Sequence, residues 1–173
     1  MNILAQFGQV RCFVFDMDGV LTDGTLILYH HGHMLRRMHI KDGYGLQLAV
    51  KKGYKVIVMS GSHSEASRDR LERLGIKDVR MDVKDKAAEL AGIMKQYAVT
   101  ADQLLYMGDD MPDLPALRMA GMPCCPADAV AEVKEACQYI SPVSGGLGCV
   151  RDVIEKVLKM NSHWNEDEGI ASL

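Results

Sequence analysis

The sequence predicts an α/β fold, a Rossmann-like three-layer sandwich with a mostly parallel central sheet. Two observations carry this expectation. Short apolar runs alternate with helical patterns along the chain, and glycines or capping residues mark the joints between them. The chain has 173 residues, 48% of them hydrophobic, enough to bury roughly 70% of its unfolded surface around one core. A single domain over residues 1–160 and a polar tail over 161–173 are expected.

The apolar runs place strands at residues 10–15, 55–59, 78–81, 103–107, 122–125 and 138–140. Helical patterns fill the gaps at 42–52, 63–74, 85–97, 113–120, 127–136 and 148–160. Gly53, Gly75 and Gly121 follow three of these helices, where a left-handed C-terminal cap is wanted. Asp42 and Ser62 stand where N-caps belong. One segment breaks the alternation. Residues 25–29 and 34–40 read as two strands around "HHGH", so a β-hairpin over about 25–40 is inserted after the first strand. His30, His31 and His33 at its tip alternate faces and lack a fourth ligand, which reads as a solvated tip or a subunit contact rather than a metal site. Near the other end, "SPVSGGLGCVRD" forms a glycine-rich link into the last helix.

Composition excludes several function classes. The formal charge is −3 with no basic stripe, which argues against nucleic acid or a membrane surface as partner. Six tyrosines, three phenylalanines and one tryptophan leave little for a base-stacking surface. Cys12, Cys124, Cys125, Cys137 and Cys149 form no CxxC pair and read as buried hydrophobes of a reducing compartment. The chain has no basic start followed by a long apolar stretch and no run of membrane-spanning length, so a cytoplasmic location is expected.

Ligands of open α/β sheets bind outside the carboxyl ends of the strands, and four strand ends here carry residues suited to one chemistry. "FVFDMDG" ends in Asp16 and Asp18, and "VIVMSG" ends in Ser60 and Gly61. "DVKDKAAEL" opens a helix with Lys84 and Lys86, while "LLYMGDDMPD" delivers Asp109, Asp110 and Asp113. Acids from two strand ends suit a hard divalent cation such as Mg²⁺. A hydroxyl beside backbone N–H groups, with a lysine, suits a phosphoryl group.

The ordered set DxDG, strand-Ser-Gly, Lys and GDDxxD resembles the haloacid dehalogenase superfamily of phosphohydrolases over essentially the whole chain. That resemblance implies that Asp16 attacks phosphorus and that Asp18 is the acid/base. It implies Mg²⁺ held by Asp16, the Asp18 carbonyl and Asp109, and phosphate held by Ser60, Gly61 and Lys86. Asp110 and Asp113 would orient metal-bound water or Lys86, and Asp113 could equally cap the helix after it. Superfamily members usually insert a cap domain, yet the intervals from Asp16 to Ser60 and from Ser60 to Lys86 hold only a hairpin, two helices and a short strand. No cap domain is expected.

Two longer stretches narrow the resemblance. "DMDGVLTDGTLILYHHGHMLRRMHIKDGYGLQLA" and "GGLGCVRDVIEKVL" are similar to the 3-deoxy-D-manno-octulosonate 8-phosphate phosphatases. This implies a small sugar-acid phosphate as substrate and a homotetramer whose hairpins pair so that neighbouring subunits cover the active site. Substrate contacts would fall on His39, Lys41, Asp42, Gly43 and Arg70, with Arg151 as a further candidate. The chain departs from the family at His39 and Lys41, where Asn and Arg are common, and at Ser62, where many members carry Arg. A nine-carbon substrate, 2-keto-3-deoxynononate 9-phosphate, is the alternative, as is a catalytically idle tetramerisation module. A phosphoacceptor receiver domain shares Asp, Mg²⁺, Ser/Thr and Lys, but has no use for an acid two residues after its phosphorylated aspartate.

Overall fold

The computed structural model describes residues 2–30, 33–165 and 169–170; His31 of the hairpin tip and part of the expected tail, 166–168 and 171–173, lie outside them. Eight strands are present among the described residues: β1 (Cys12–Asp16), β2 (Ile27–Leu28), β3 (Met34–Leu35), β4 (Lys55–Met59), β5 (Asp78–Arg80), β6 (Leu104–Met107), β7 (Met122–Cys125) and β8 (Tyr139–Ile140). Helices are α1 (Ile3–Gln9), α2 (Ile40–Lys51), α3 (Glu65–Arg73), α4 (Lys86–Tyr97), α5 (Leu114–Leu117), α6 (Ala131–Ala136) and α7 (Cys149–Met160).

Six strands form one sheet in the order β5-β4-β1-β6-β7-β8, every pair parallel. Parallel strands need crossover helices, so both faces are covered and alternate residues of each strand enter different layers. Phe13, Phe15, Val56, Val58, Leu105 and Met107 join Phe7 of α1, Leu46 of α2, Leu71 of α3 and Val153 of α7. Cys12, Val14, Ile57, Met59, Leu104 and Tyr106 join Leu90 of α4, Leu117 of α5 and Val133 of α6. The chain runs outward from β1 through β4 to β5 on one side, then returns beside β1 and continues through β6 to β8. The switch between β1 and β6 leaves a crevice at their carboxyl ends.

Local chemistry explains where the elements depart from expectation. Helix α1 carries no strong periodicity, with only Phe7 buried, and its start is fixed by Asn2 accepting the Leu4 N–H. The expected helix at 113–120 is instead a tight turn (Met111–Asp113) followed by the short α5, with Pro112 and Pro115 in their first turns, where a missing N–H is tolerated. The helix expected from residue 127 begins at Ala131: Ala127 and Val130 instead donate to the carbonyls of Val143 and Asp109. Gly53 and Gly75 do take positive φ. Gly121 does not, and α4 instead ends on left-handed Ala98.

Among the described residues the hairpin ladder pairs Ile27 with Leu35 and Leu28 with Met34. Its expected second strand is cut short because α2 starts at Ile40, with His39 as the N-cap through Nδ1 to the Lys41 N–H. Asp42 therefore sits inside the first turn rather than capping it. Ser64, not Ser62, caps α3. Residues just after α7 pack back on the body: the His163 ring lies 3.0 Å from the Tyr54 hydroxyl, and Arg151 stacks on both Tyr44 and Trp164. No helix among the described residues is long and apolar enough to cross a membrane.

Candidate active site

Strand β1 is buried along its length and stops at Asp16. The Asp16 Oδ1 accepts the Met17 N–H at 2.7 Å, starting a wide turn over Met17–Leu21 that closes with Thr22 N–H on the Met17 carbonyl at 3.0 Å. Gly19 in this turn has φ +88°, and a Cβ there would enter the Asp109 carboxylate. Glycine is thus required twice over, by backbone conformation and by the approach of β6's following loop. The linker glycines do a related job: Gly145 and Gly146 pack directly on the backbone of Gly19, Thr22 and Asp23, and Gly146 N–H donates to the Val20 carbonyl. The glycine-rich link is thereby a clamp under the turn that carries Asp18.

Lys86 opens α4, with Asp85 as N-cap. Its ammonium is buried and lies 3.0 Å from Asp16 Oδ2 and 2.6 Å from Asp113 Oδ1. Asp113 is 1% exposed and fully engaged. Its Oδ1 also accepts from the Tyr106 hydroxyl at 2.7 Å, and its Oδ2 accepts the N–H groups of Asp109 and Asp110 at 3.1 and 3.3 Å. Burial pushes the Asp16 carboxyl well up, with repulsion from Asp113 adding to it and Lys86 opposing. Burial alone would lower Lys86, but the Asp16 and Asp113 charges outweigh it and hold the ammonium above its ordinary value. Asp109 is pushed up to about 7 by burial and then by Asp113 and Asp110.

Those acids fit a cation. Asp16, Asp109 and Asp113 each offer an oxygen within 4.8 Å of the others. Each Asp113 oxygen already accepts two bonds, whereas each Asp16 oxygen has one partner, so Asp16 and Asp109 are the natural direct donors. Hard carboxylate oxygens strained by mutual repulsion suit Mg²⁺.

Asp16, Asp18, Gly61, Lys86, Asp109, Asp110 and Asp113 line one open cavity of about 640 Å³, joined by Ser62, Lys84 and Asp85. Ser60 lies beneath this wall, fully buried, with its Oγ accepting the Ser62 N–H at 3.1 Å. The expected substrate contacts lie elsewhere. Arg70 lines a separate groove of about 300 Å³ with Met34, Leu35, Arg36, Met38 and Ile40. His39 is the α2 cap, Lys41 is exposed, and Gly43 packs on Leu74 and the Arg70 guanidinium. Asp42 is buried between α2 and α7: Oδ1 accepts the Arg151 N–H at 2.7 Å, while Oδ2 has no partner. Arg151 is held by Tyr44 and Trp164 outside the cavity lining.

Sequence reasoning missed two participants. Tyr106 reads as an ordinary apolar strand residue, and only the fold sets its hydroxyl on Asp113. Arg36 reads as one of two hairpin arginines, yet its Nε lies 2.7 Å from Asp18 Oδ1 and its Nη2 3.0 Å from Ser62 Oγ. Ser62, noted as a missing cation, donates to Asp18 Oδ2 at 2.7 Å.

Comparison with known proteins agrees with this geometry. Residues 78–154 match the haloacid dehalogenase-like hydrolase family. The 3-deoxy-D-manno-octulosonate 8-phosphate phosphatase of Haemophilus influenzae is 35% identical over 151 residues, 87% of this chain and 84% of that protein. The Moraxella catarrhalis phosphatase of the same name, solved with magnesium, phosphate and 3-deoxy-D-manno-octulosonate, superposes with a TM-score of 0.88 at 31% identity, covering 91% of each chain. A cobalt-bound structure of the Haemophilus enzyme gives 0.87 at 34% identity, covering 91% of this chain and 92% of that one. With a capless parallel sheet, an inserted hairpin and this cluster of acids around Lys86, the chain belongs to the haloacid dehalogenase-like hydrolases, in the family of the 3-deoxy-D-manno-octulosonate 8-phosphate phosphatases.

Proposed function

We propose that this phosphatase releases phosphate from 3-deoxy-D-manno-octulosonate 8-phosphate through an aspartyl-phosphate on Asp16. The observation that carries the reading is the fixed Asp16 carboxylate, pinned by Lys86 and the Met17 N–H beside Asp18 and Asp109. An Asp16 oxygen bonds to phosphorus as the bond from phosphorus to the sugar oxygen breaks. Asp18 gives its proton to that leaving oxygen, then takes one from the water whose oxygen attacks phosphorus and breaks the aspartyl–phosphorus bond. Free phosphate leaves and Asp16 returns. Lys86 and the Gly61 N–H hold the phosphoryl oxygens, the buried Ser60 hydroxyl fixes the Ser62 N–H beneath the wall rather than meeting phosphate, and Asp113 keeps Lys86 in place. Asp16, Asp109 and the Asp18 carbonyl would hold Mg²⁺, which when bound neutralises charge between carboxylate and phosphate.

The substrate assignment draws on the names of the relatives, among them the Moraxella catarrhalis phosphatase solved with 3-deoxy-D-manno-octulosonate. The protein would act as a cytoplasmic homotetramer, and His39, Lys41, Asp42, Gly43 and Arg70, none of which lines the cavity, are not assigned to the substrate. Leu26, Ile27, Leu28, Tyr29, Met34 and Leu35 of the hairpin are all exposed, a patch suited to second copies of the chain. The test is phosphate release by the pure protein with Mg²⁺ over eight- and nine-carbon sugar-acid phosphates and an aryl phosphate. The eight-carbon ester is expected to give the highest kcat/KM, with turnover lost in EDTA and restored by Mg²⁺. A higher kcat/KM for the nine-carbon ester overturns the substrate. No release from any ester overturns the activity.

A further inference from the structure

We propose that Arg36 is a positioning residue for this reaction: from the inserted hairpin it holds the Asp18 carboxylate in its working orientation. This rests on the reading of Asp18 as the acid/base. The two neighbouring arginines have opposite fates. Arg37 is 71% exposed and pairs loosely with Asp23, whereas the Arg36 side chain is 3% exposed. Its planar fork meets both oxygens of one carboxylate, with Nε on Oδ1 at 2.7 Å and Nη2 on Oδ2 at 3.3 Å. A guanidinium matches a carboxylate in this way, and it stays charged at any working pH.

The contact extends into a network. Arg36 Nη2 also donates to Ser62 Oγ, Ser62 Oγ donates to Asp18 Oδ2, and the Ser62 N–H is anchored on Ser60 Oγ. Asp18 itself is 33% exposed at the cavity mouth, in a turn that fixes its backbone and gives its side chain one long bond, from Thr22 Oγ1 at 3.5 Å. Without the fork its carboxylate would keep one bond from Ser62 and the long one from Thr22 Oγ1, a looser hold, and proton delivery depends steeply on placement. An arginine serving only to anchor the hairpin could be satisfied by main-chain carbonyls. Here a single long contact, Nη1 to the Met34 carbonyl at 3.4 Å, goes to the hairpin, and the remaining hydrogen bonds go to Asp18 and Ser62.

Leaving-group chemistry separates positioning from mere support. An alkyl phosphate needs a proton on its departing oxygen, while p-nitrophenolate departs without one. For Asp18→Asn, kcat/KM should fall about 10²–10⁴-fold on the eight-carbon sugar-acid phosphate and less than about tenfold on p-nitrophenyl phosphate. Arg36→Gln should fall about 10–100-fold on the alkyl ester and stay within about threefold on the aryl ester. Arg36→Lys, which keeps the charge and loses the fork, should recover part of the alkyl rate. Equal losses on both esters in Arg36→Gln, or no loss on either, overturn the proposal while leaving Asp18 as acid intact. If Asp18→Asn shows no preference for the alkyl ester, the underlying reading of Asp18 fails instead. Should Arg36→Gln not fold, Arg36→Lys decides by the same criterion, an alkyl-selective loss supporting the role and an equal loss overturning it.

Discussion

Asp42→Asn tests the electrostatics of the α2–α7 contact with a magnitude that can be worked out. Asp42 is 2% exposed, one oxygen bonded to the Arg151 N–H and the other without a partner. Burial pushes its carboxyl up to about 6, with the Arg151 N–H and charge opposing. At about 1.4 kcal/mol per tenfold change in proton affinity, the gap from an ordinary aspartate amounts to ~3 kcal/mol between fully protonated and fully ionised limits. The folded state binds this proton more tightly than the unfolded chain. Its contribution is therefore fully present below about pH 4 and is lost as pH rises through about 6. Between pH 5 and pH 8 the loss still to come is ~1.4 kcal/mol. The Asp42→Asn side chain keeps an acceptor for the Arg151 N–H and cannot ionise. The stability of the variant minus that of the parent, from urea unfolding at a series of pH values, should rise by ~1.4 kcal/mol over that interval. Any pH-independent cost of burying the amide cancels in this comparison. Parallel curves for the two proteins would refute the reasoning.

Four further outcomes follow from the packing. Lys86→Met leaves Asp16 and Asp113 buried without their cation, and urea unfolding should show a loss of about 3–5 kcal/mol together with loss of turnover. Gly145→Ala places a Cβ against the Gly19 carbonyl and should lower both melting temperature and kcat, while Gly92→Ala, exposed inside α4 with nothing near its Cβ, should stabilise by roughly 0.5–1 kcal/mol. Leu28→Asp, at a residue 79% exposed on the hairpin, should shift sedimentation from the proposed tetramer to smaller species. An unchanged sedimentation coefficient would remove the hairpin as the assembly surface.

Most of the sheet was legible because parallel strands buried on both faces must be short apolar runs, and residues 55–59 and 122–125 appear in the structure with the bounds read from the sequence. The polar residues after those runs were legible for the same reason: an acid that closes a buried strand has few purely structural explanations. Boundaries failed where one residue outweighed a pattern, as with His39 in place of Asp42 as cap. The placement of His39, Lys41 and Arg70 outside the cavity lining was not legible, because it depends on how the hairpin and α2 sit against α3.

The sequence by itself determined the chemistry on offer: Asp16 and Asp18 at one strand end, Asp109, Asp110 and Asp113 at another, and a lysine at the head of a helix. Periodicity and residue type suffice for that, since they are local properties of the chain. Only the tertiary structure decided the partners. Tyr106 meets Asp113, Arg36 meets Asp18, and Gly145 meets Gly19 across separations that no local pattern encodes. Hydrogen bonds and close packing act over a few ångströms in space, whatever the distance along the chain, so the orientation of each reactive group was settled only when the sheet, hairpin and final helix came together.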